Sequence, residues 1–243
     1  MRKSIYFLIA IATVITVGVM FNACSKDDED ESKQENNSQN TPPEKESAGK
    51  AVDLGLSVKW ADMNVGATTP EDYGDYFAWG ETKPKEIYNW STYTWCEGSR
   101  TTLTKYCNNN SKGIVDNKTS LELADDAARA NWGGTWRMPT YDELCELNNK
   151  CTWTWTTRNY VTGFSVTGPN GNSIFLPAAG YRSDENLYDT GYNGDYWASS
   201  LYTSNASFAR YVYFYFNTSS GANSHTPGEE YRCFGRSIRP VKE

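Results

Sequence analysis

Asp125-Asp126-Ala127-Ala128-Arg129-Ala130-Asn131-Trp132-Gly133-Gly134 and Thr140-Tyr141-Asp142-Glu143-Leu144-Cys145-Glu146-Leu147-Asn148-Asn149 are two short stretches of helical pattern in a chain otherwise rich in strand and turn signals. In the first, three alanines favour helix and the paired glycines stop it. Asp125 and Asp126 suit its start, where carboxylates meet the positive end of the helix dipole. In the second, Thr140 with Glu143 three residues on forms a capping box, and Tyr141, Leu144, Cys145 and Leu147 recur at the spacing of one core-facing stripe. Strand candidates lie on both sides: 57–65, 76–79, 152–156, 163–167, 173–176, 196–199 and, most clearly, Arg210 to Asn217. Strands that run before and after the helices, rather than alternating with them, predict an α+β fold.

Residues 51–243 form one domain of ordinary size, long enough to bury a core. All nine tryptophans of the chain lie there, with sixteen tyrosines and seven phenylalanines. Such aromatic density can hold together a fold with much loop. The domain carries 17 Lys and Arg against 22 Asp and Glu, without a basic run. Nucleic acid is therefore not an expected partner, since phosphate binding needs clustered cations.

The other fifty residues read as an address. Arg2 and Lys3 open a nearly continuous apolar run from Ile5 to Phe21, a little short for a spanning helix, which ends at small Ala23 before Cys24. That arrangement resembles a bacterial lipoprotein signal with its lipobox. The resemblance implies cleavage after residue 23 and acylation, palmitate included, of Cys24 as the lipid attachment site, which gives stable anchoring. Ser25-Lys26-Asp27-Asp28-Glu29-Asp30-Glu31 resembles the acidic export tag of Bacteroidetes-type lipoproteins. It implies the outer face of the outer membrane, with the membrane met through the lipid alone. Residues 25–50 hold one alanine and no other apolar side chain beyond the Pro42-Pro43 pair, so 24–50 reads as a lipidated cysteine and disordered acidic tether.

Cys96, Cys107, Cys145, Cys151 and Cys233 remain after Cys24. Outside the cytoplasm Cys96–Cys107 or Cys107–Cys151 are reasonable disulfides, and the odd number leaves at least one thiol over. No pair has CxxC spacing and His225 is the lone histidine, so no structural zinc and no cofactor are expected.

Four ordered blocks carry a family resemblance. The first holds Leu56-Ser57-Val58-Lys59-Trp60-Ala61, Asn64-Val65-Gly66-Ala67 and Gly74-Asp75-Tyr76-Phe77-Ala78-Trp79-Gly80-Glu81. The second is Trp132-Gly133-Gly134-Thr135-Trp136-Arg137-Met138-Pro139-Thr140. The third joins Asn172-Ser173-Ile174-Phe175-Leu176-Pro177-Ala178-Ala179-Gly180-Tyr181-Arg182 to Tyr196-Trp197-Ala198-Ser199-Ser200, and the last is Gly235-Arg236-Ser237-Ile238-Arg239-Pro240-Val241. In order and spacing they resemble the Fibrobacter succinogenes major paralogous domain family over essentially all of 51–243. The resemblance implies a C-type lectin-like fold. Arg137-Met138-Pro139-Thr140 with Glu143-Leu144 is also similar to a segment of formylglycine-generating, sulfatase-modifying domains. The residues themselves suit structure: Pro139 keeps Met138 extended, Thr140 caps, and Arg137 can pair with a carboxylate. Arg182, Arg236 and Arg239 suit ties between the final strand and loops.

Catalysis is not expected. Formylglycine-generating enzymes use two nearby cysteines late in the domain. Here Cys145 and Cys151 have about that separation but sit beside the Arg137 helix, and Cys233 has no partner at suitable spacing. A copper-dependent oxidase of that type is the third reading. No nucleophile elbow, phosphate loop or zincin motif occurs. His225 lies between Gly221 and Gly228 and reads as a solvated loop residue. Asp184, Glu185 and Asp189 around Tyr188 could serve as paired carboxylates. The loop Asp184-Glu185-Asn186 could offer calcium its oxygen ligands, but the signatures of calcium-dependent sugar-binding lectins are absent.

The stretch 181–231 carries the binding expectation. From Arg210 to Asn217 the strand period of two puts Val212, Phe214 and Phe216 on one face and Tyr211, Tyr213 and Tyr215 on the other. Ser, Thr and Asn flank them, a composition like that of paratopes, in which Tyr supplies rigid amphipathic area. The placement resembles the variable region of C-type lectin-fold proteins diversified by retroelements. Packing under a loop is the bland alternative for the stripe. The expected ligand-binding residues are Tyr188, Tyr192, Tyr202, Asn205, Tyr211, Tyr213, Tyr215 and Asn217, and the expected ligand an extracellular glycan or protein. The second reading, an adhesin or cell-envelope assembly subunit, would use the same face as a protein interface.

Overall fold

The computed structural model describes residues 42–217 and 222–243, with the side chains of Asn217, Ala222 and Asn223 outside that description. Cys24, the signal and residues 25–41 of the tether fall outside the described residues. Among those described, no helix is long and apolar enough to cross a membrane.

Over the described residues the fold is α+β, with two short α-helices and eleven strands in small antiparallel sheets. β1 (Ala51–Val52), β2 (Lys59–Ala61) and β11 (Val241–Lys242) make one sheet that joins the two ends of the domain. β3 (Thr152–Arg158), β4 (Val161–Thr167) and β5 (Ser173–Pro177) form a meander. β6 (Tyr181–Ser183) and β7 (Asn186–Tyr188) form a small hairpin. β8 (Asn193–Leu201), β9 (Phe208–Asn217) and β10 (Ala222–Tyr231) form the longest sheet, with β9 in the middle.

Local chemistry accounts for the helices. Helix α1 (Ala127–Trp132) is capped by Asp126, whose carboxylate accepts from Arg129 N, and it ends at Gly133 with φ of 70°. Helix α2 (Tyr141–Lys150) has both halves of the capping box, and Glu143 also takes two hydrogen bonds from Arg137 at 2.7 and 2.8 Å. Leu144 and Leu147 are its buried residues, and they meet Trp60, Phe164, Val212 and Phe214 in one core. A second core gathers Trp79, Tyr106, Trp132, Trp136, Trp197 and Tyr211. The β8–β9 pair lies between the two and is buried on both faces over much of its length.

Several expectations need correction. The strand placed at 57–65 is paired only over Lys59–Ala61, and 76–79 is no strand but a single bridge, Phe77 with Arg236. The phrase there is irregular because its amides serve the C-terminal segment: Phe77 N donates to Arg236 O and Trp79 N to Arg232 O. The loop expected around His225 is strand β10. Pro227 is tolerated because β10 is an edge strand, where a missing amide breaks no ladder. His225 is half-buried; it stacks on Trp153 at 4.5 Å and shares a 2.9 Å hydrogen bond through Nδ1 with Asn148 Oδ1. Neither expected disulfide is present, and all five described cysteines are free. The thiols have other company: Cys107 Sγ donates to Asn109 O and Cys96 Sγ to Trp90 O, each at 3.1 Å. Burial pushes the Cys151 thiol up to about 11 and that of Cys233 up to about 12, so neither is a ready nucleophile at neutral pH.

Residues 42–50, grouped with the tether by composition, lie against the domain. Gly134 N donates to Pro42 O, Lys45 N to Trp132 O, and Trp136 Nε1 to Glu44 Oε1 at 2.9 Å.

Candidate functional site

In β9 the alternation places Tyr211, Tyr213 and Tyr215 in one stacked row, with ring centroids 5.6 and 6.4 Å apart. Their environments differ along the strand. Tyr211 is 8% exposed and belongs to the second core, Tyr213 is half-buried, and Tyr215 is 38% exposed. Burial raises the Tyr211 hydroxyl above its ordinary value, so it stays neutral.

Under the row sits a buried ion pair. The Arg236 guanidinium lies 4.3 Å from the Tyr211 ring, 4.8 Å from Trp197 and 5.5 Å from Tyr181. Its Nη2 is 3.8 Å from Asp195 Oδ1, while Nε and Nη1 have no hydrogen-bond partner. Burial pushes the Asp195 carboxyl up to about 6; Arg236 opposes this, and Asp189 and Glu230 reinforce it. The faces of three aromatic rings stand in for the missing acceptors. Arg239 fares differently, with donors satisfied by Asn64 Oδ1, Ala61 O and Phe175 O.

Beyond Tyr215 the exposed aromatics gather. Asn159 and Tyr160, with φ of 47° and 67°, form the tight turn of the β3–β4 hairpin, and Tyr160 stands fully free at 102% exposure. Thr162 Oγ1, next along β4, donates to Gly191 O at 2.7 Å, which brings that turn beside the loop after β7. The loop is held by Asp189, whose carbonyl accepts from Tyr192 N and Asn193 N and whose carboxylate accepts from Asn193 Nδ2. Tyr192 O in turn accepts from Phe216 N, and Asn193 pairs with Tyr215. Tyr188 stacks on Tyr181 at 5.5 Å, in reach of the same corner. Of the eight exposed large hydrophobic residues among those described, Tyr160 lies on the β3–β4 turn, Leu187 and Tyr188 on β7, Tyr192 on the loop after it and Tyr215 on β9. The rest, Ile114, Val115 and Leu123, lie elsewhere in the chain.

The structure thus stacks Tyr213 and Tyr215 in a row on buried Tyr211, joins the Tyr192 backbone to Phe216, and seats Tyr188 on Tyr181 beside Arg236. It does not bring Tyr202 and Asn205 to them. These two form the β8–β9 turn at the far end of β9, about 30 Å away at the rise of a ten-residue strand. Asn205 Oδ1 accepts from Ser207 N, and Arg210 lies between the rings of Tyr202 and Tyr141 at 4.5 and 4.2 Å. Asn217 ends β9. Sequence reasoning missed Tyr160, Leu187 and Asp195, and Arg236 appeared only as a tie between segments. An available signal was Asn159-Tyr160 between two Thr-rich strand runs, a dipeptide suited to a tight hairpin turn. Asp184 acts as a turn residue, with φ of 50° and its Oδ1 accepting from Asn89 Nδ2 at 2.8 Å. Among the described residues no group of three or more His, Cys, Asp or Glu converges to hold a metal.

Comparison with family models, with curated proteins and with solved structures returns no match to this chain.

Proposed function

We propose that the chain is an outer-membrane lipoprotein, anchored through Cys24 at the cell-surface face, that binds an extracellular glycan or protein through its aromatic end. On this reading its domain is C-type lectin-like and belongs with the Fibrobacter succinogenes major paralogous domains, and it acts without catalysis. The observation that carries the reading is that Tyr160, Tyr188, Tyr192 and Tyr215 stand exposed on three segments that the Thr162–Gly191 and Phe216–Tyr192 hydrogen bonds tie together. Contiguous exposed aromatic surface marks interaction sites, and Tyr gives contact area at low entropic cost. The row is anchored on the central strand of its sheet, so little backbone order has to be gained on binding.

The test is a binding screen of the full chain, in detergent, against a glycan array and a panel of host-surface proteins. Beside it runs a variant carrying Tyr160→Ser, Tyr192→Ser and Tyr215→Ser. These positions are exposed, so the variant should melt like the parent while losing its ligand. Retained binding, or binding lost only with the cooperative melt, would remove the aromatic end from recognition. Self-association abolished by the same substitutions would favour the envelope-subunit reading.

A further inference from the structure

Neighbouring residues of β6 face different surroundings. Tyr181 lies beside Arg236 at the aromatic end, while Arg182 lines a separate cavity of about 510 Å3. That volume is in the range of small-molecule sites. Tyr76 and Tyr88 are its buried lining, and their hydroxyls are spent: Tyr76 Oη donates to Ala179 O and Tyr88 Oη to Tyr76 O, at 2.5 and 2.6 Å. Lys85 is spent too, donating to Glu81 Oε1 at 2.9 Å and Thr92 O at 3.0 Å.

Four charged side chains at the cavity are left without partners among the described residues. The Arg182 guanidinium lies over the Tyr76 ring, 5.4 Å from its centroid, and makes no hydrogen bond or ion pair among the described residues. A guanidinium on an aromatic face keeps its in-plane donors free, and their fork matches a carboxylate. Asp75, Glu86 and Glu185 line the same cavity, and their carboxylates accept no hydrogen bond among the described residues. They call for a ligand with several donors. A bare inorganic anion would meet three carboxylates with no donor to offer them and leave most of the volume empty. A neutral sugar would leave the guanidinium unpaired, which wastes its strongest interaction.

We propose that this cavity binds a sugar acid, a small polyhydroxylated molecule whose single carboxylate pairs with Arg182 and whose hydroxyls donate to Asp75 and Glu185. The site is independent of the aromatic end, and either can fail without the other.

The experiment is isothermal titration calorimetry of the full chain, in detergent, with sodium glucuronate as the probe and glucose and sodium sulfate as controls. Saturable glucuronate binding is expected, with both controls at least roughly tenfold weaker. Arg182→Gln should weaken glucuronate binding by about tenfold or more. Because Arg182 also packs on Tyr76, Ile87→Trp gives a second variant that fills the cavity from a partly exposed position and leaves the guanidinium intact. It should lose glucuronate to the same degree. Tyr215→Ser should bind glucuronate like the parent. No saturable binding up to about 10 mM glucuronate, equal binding of sulfate or glucose, or parental affinity in both cavity variants would each overturn the assignment.

Discussion

Thr140, Glu143 and Arg137 show how much one residue can carry. The Thr140 hydroxyl accepts from Glu143 N, and the Glu143 carboxylate accepts from Thr140 N and from Arg137. Thr140→Ala should therefore destabilise the protein by about 1 kcal/mol, read as a lower urea midpoint at unchanged slope. Tyr211 and Tyr215 are chemically identical and two residues apart, yet their substitution should differ sharply. Tyr211→Ser opens the core and strips the ring from Arg236, costing about 3 kcal/mol or more, whereas Tyr215→Ser should stay within about 0.5 kcal/mol. Equal melting temperatures for the two variants would contradict the burial gradient. Asp195 supplies a pH signature. Its folded carboxyl is raised from the ordinary 3.8 to about 6, chiefly by burial and against the pull of Arg236. A raised carboxylate contributes stability that is present below its unfolded value and lost as pH rises through about 6. The stability of the parent relative to Asp195→Asn should thus fall as pH rises from 4 to 7, measured by denaturation of both at each pH. Buried Asp126 is also raised by desolvation and leaves a residual slope of the same sign. The capping box and the alternation of the tyrosines are legible in the sequence, because both are local. The burial gradient is not, since the Tyr211 end meets Trp197 and the second core while Tyr215 meets solvent.

At the scale of the element, β10 and the β6–β7 hairpin were the hidden parts. Pro227, Gly228 and a run of polar residues conceal β10, whose strand character comes from a ten-residue ladder on β9. The aromatic faces of Trp153 and Trp155 complete it, the one stacking on His225 and the other on Phe216 at 5.1 Å. Burial lowers the His225 value, so the ring stays neutral at pH 7 and suits that stack. The hairpin depends on Gly180, which has φ of 65° and whose added Cβ would collide with the Tyr188 carbonyl. Gly180→Ala should cost about 2 kcal/mol or more, from strain in the left-handed region plus displacement of the hairpin. The near-ultraviolet signal of the stacked Tyr181 and Tyr188 reports it, and an unchanged signal with unchanged stability would show that the hairpin tolerates the shift.

At the scale of the molecule, the chain ends matter more than composition suggests. β11 pairs with β2, and Arg137 exchanges backbone hydrogen bonds with Val241. Glu44 accepts from Trp136 Nε1 and from Lys242 Nζ, so the start of the domain is tied to its end. A chain beginning at residue 47 should consequently melt several degrees below one beginning at residue 42, by loss of these contacts and of the Pro42 and Lys45 hydrogen bonds. Identical melting curves would mean that the segment merely rests on the surface.

The sequence by itself determined the fold class, both helices with their caps, most of the meander and the alternating faces of β9. Each of these follows from propensity, capping or period over a few residues. Only the tertiary structure decided that both faces of β8 and β9 are buried over much of their length, and that Tyr202 and Asn205 stand apart from the other tyrosines. It also decided that Tyr160 stands exposed on its turn, and that Arg236 and Asp195 share the space beneath Tyr211. Burial and convergence depend on which distant segments pack together, and neither is written in the spacing of neighbours along the chain.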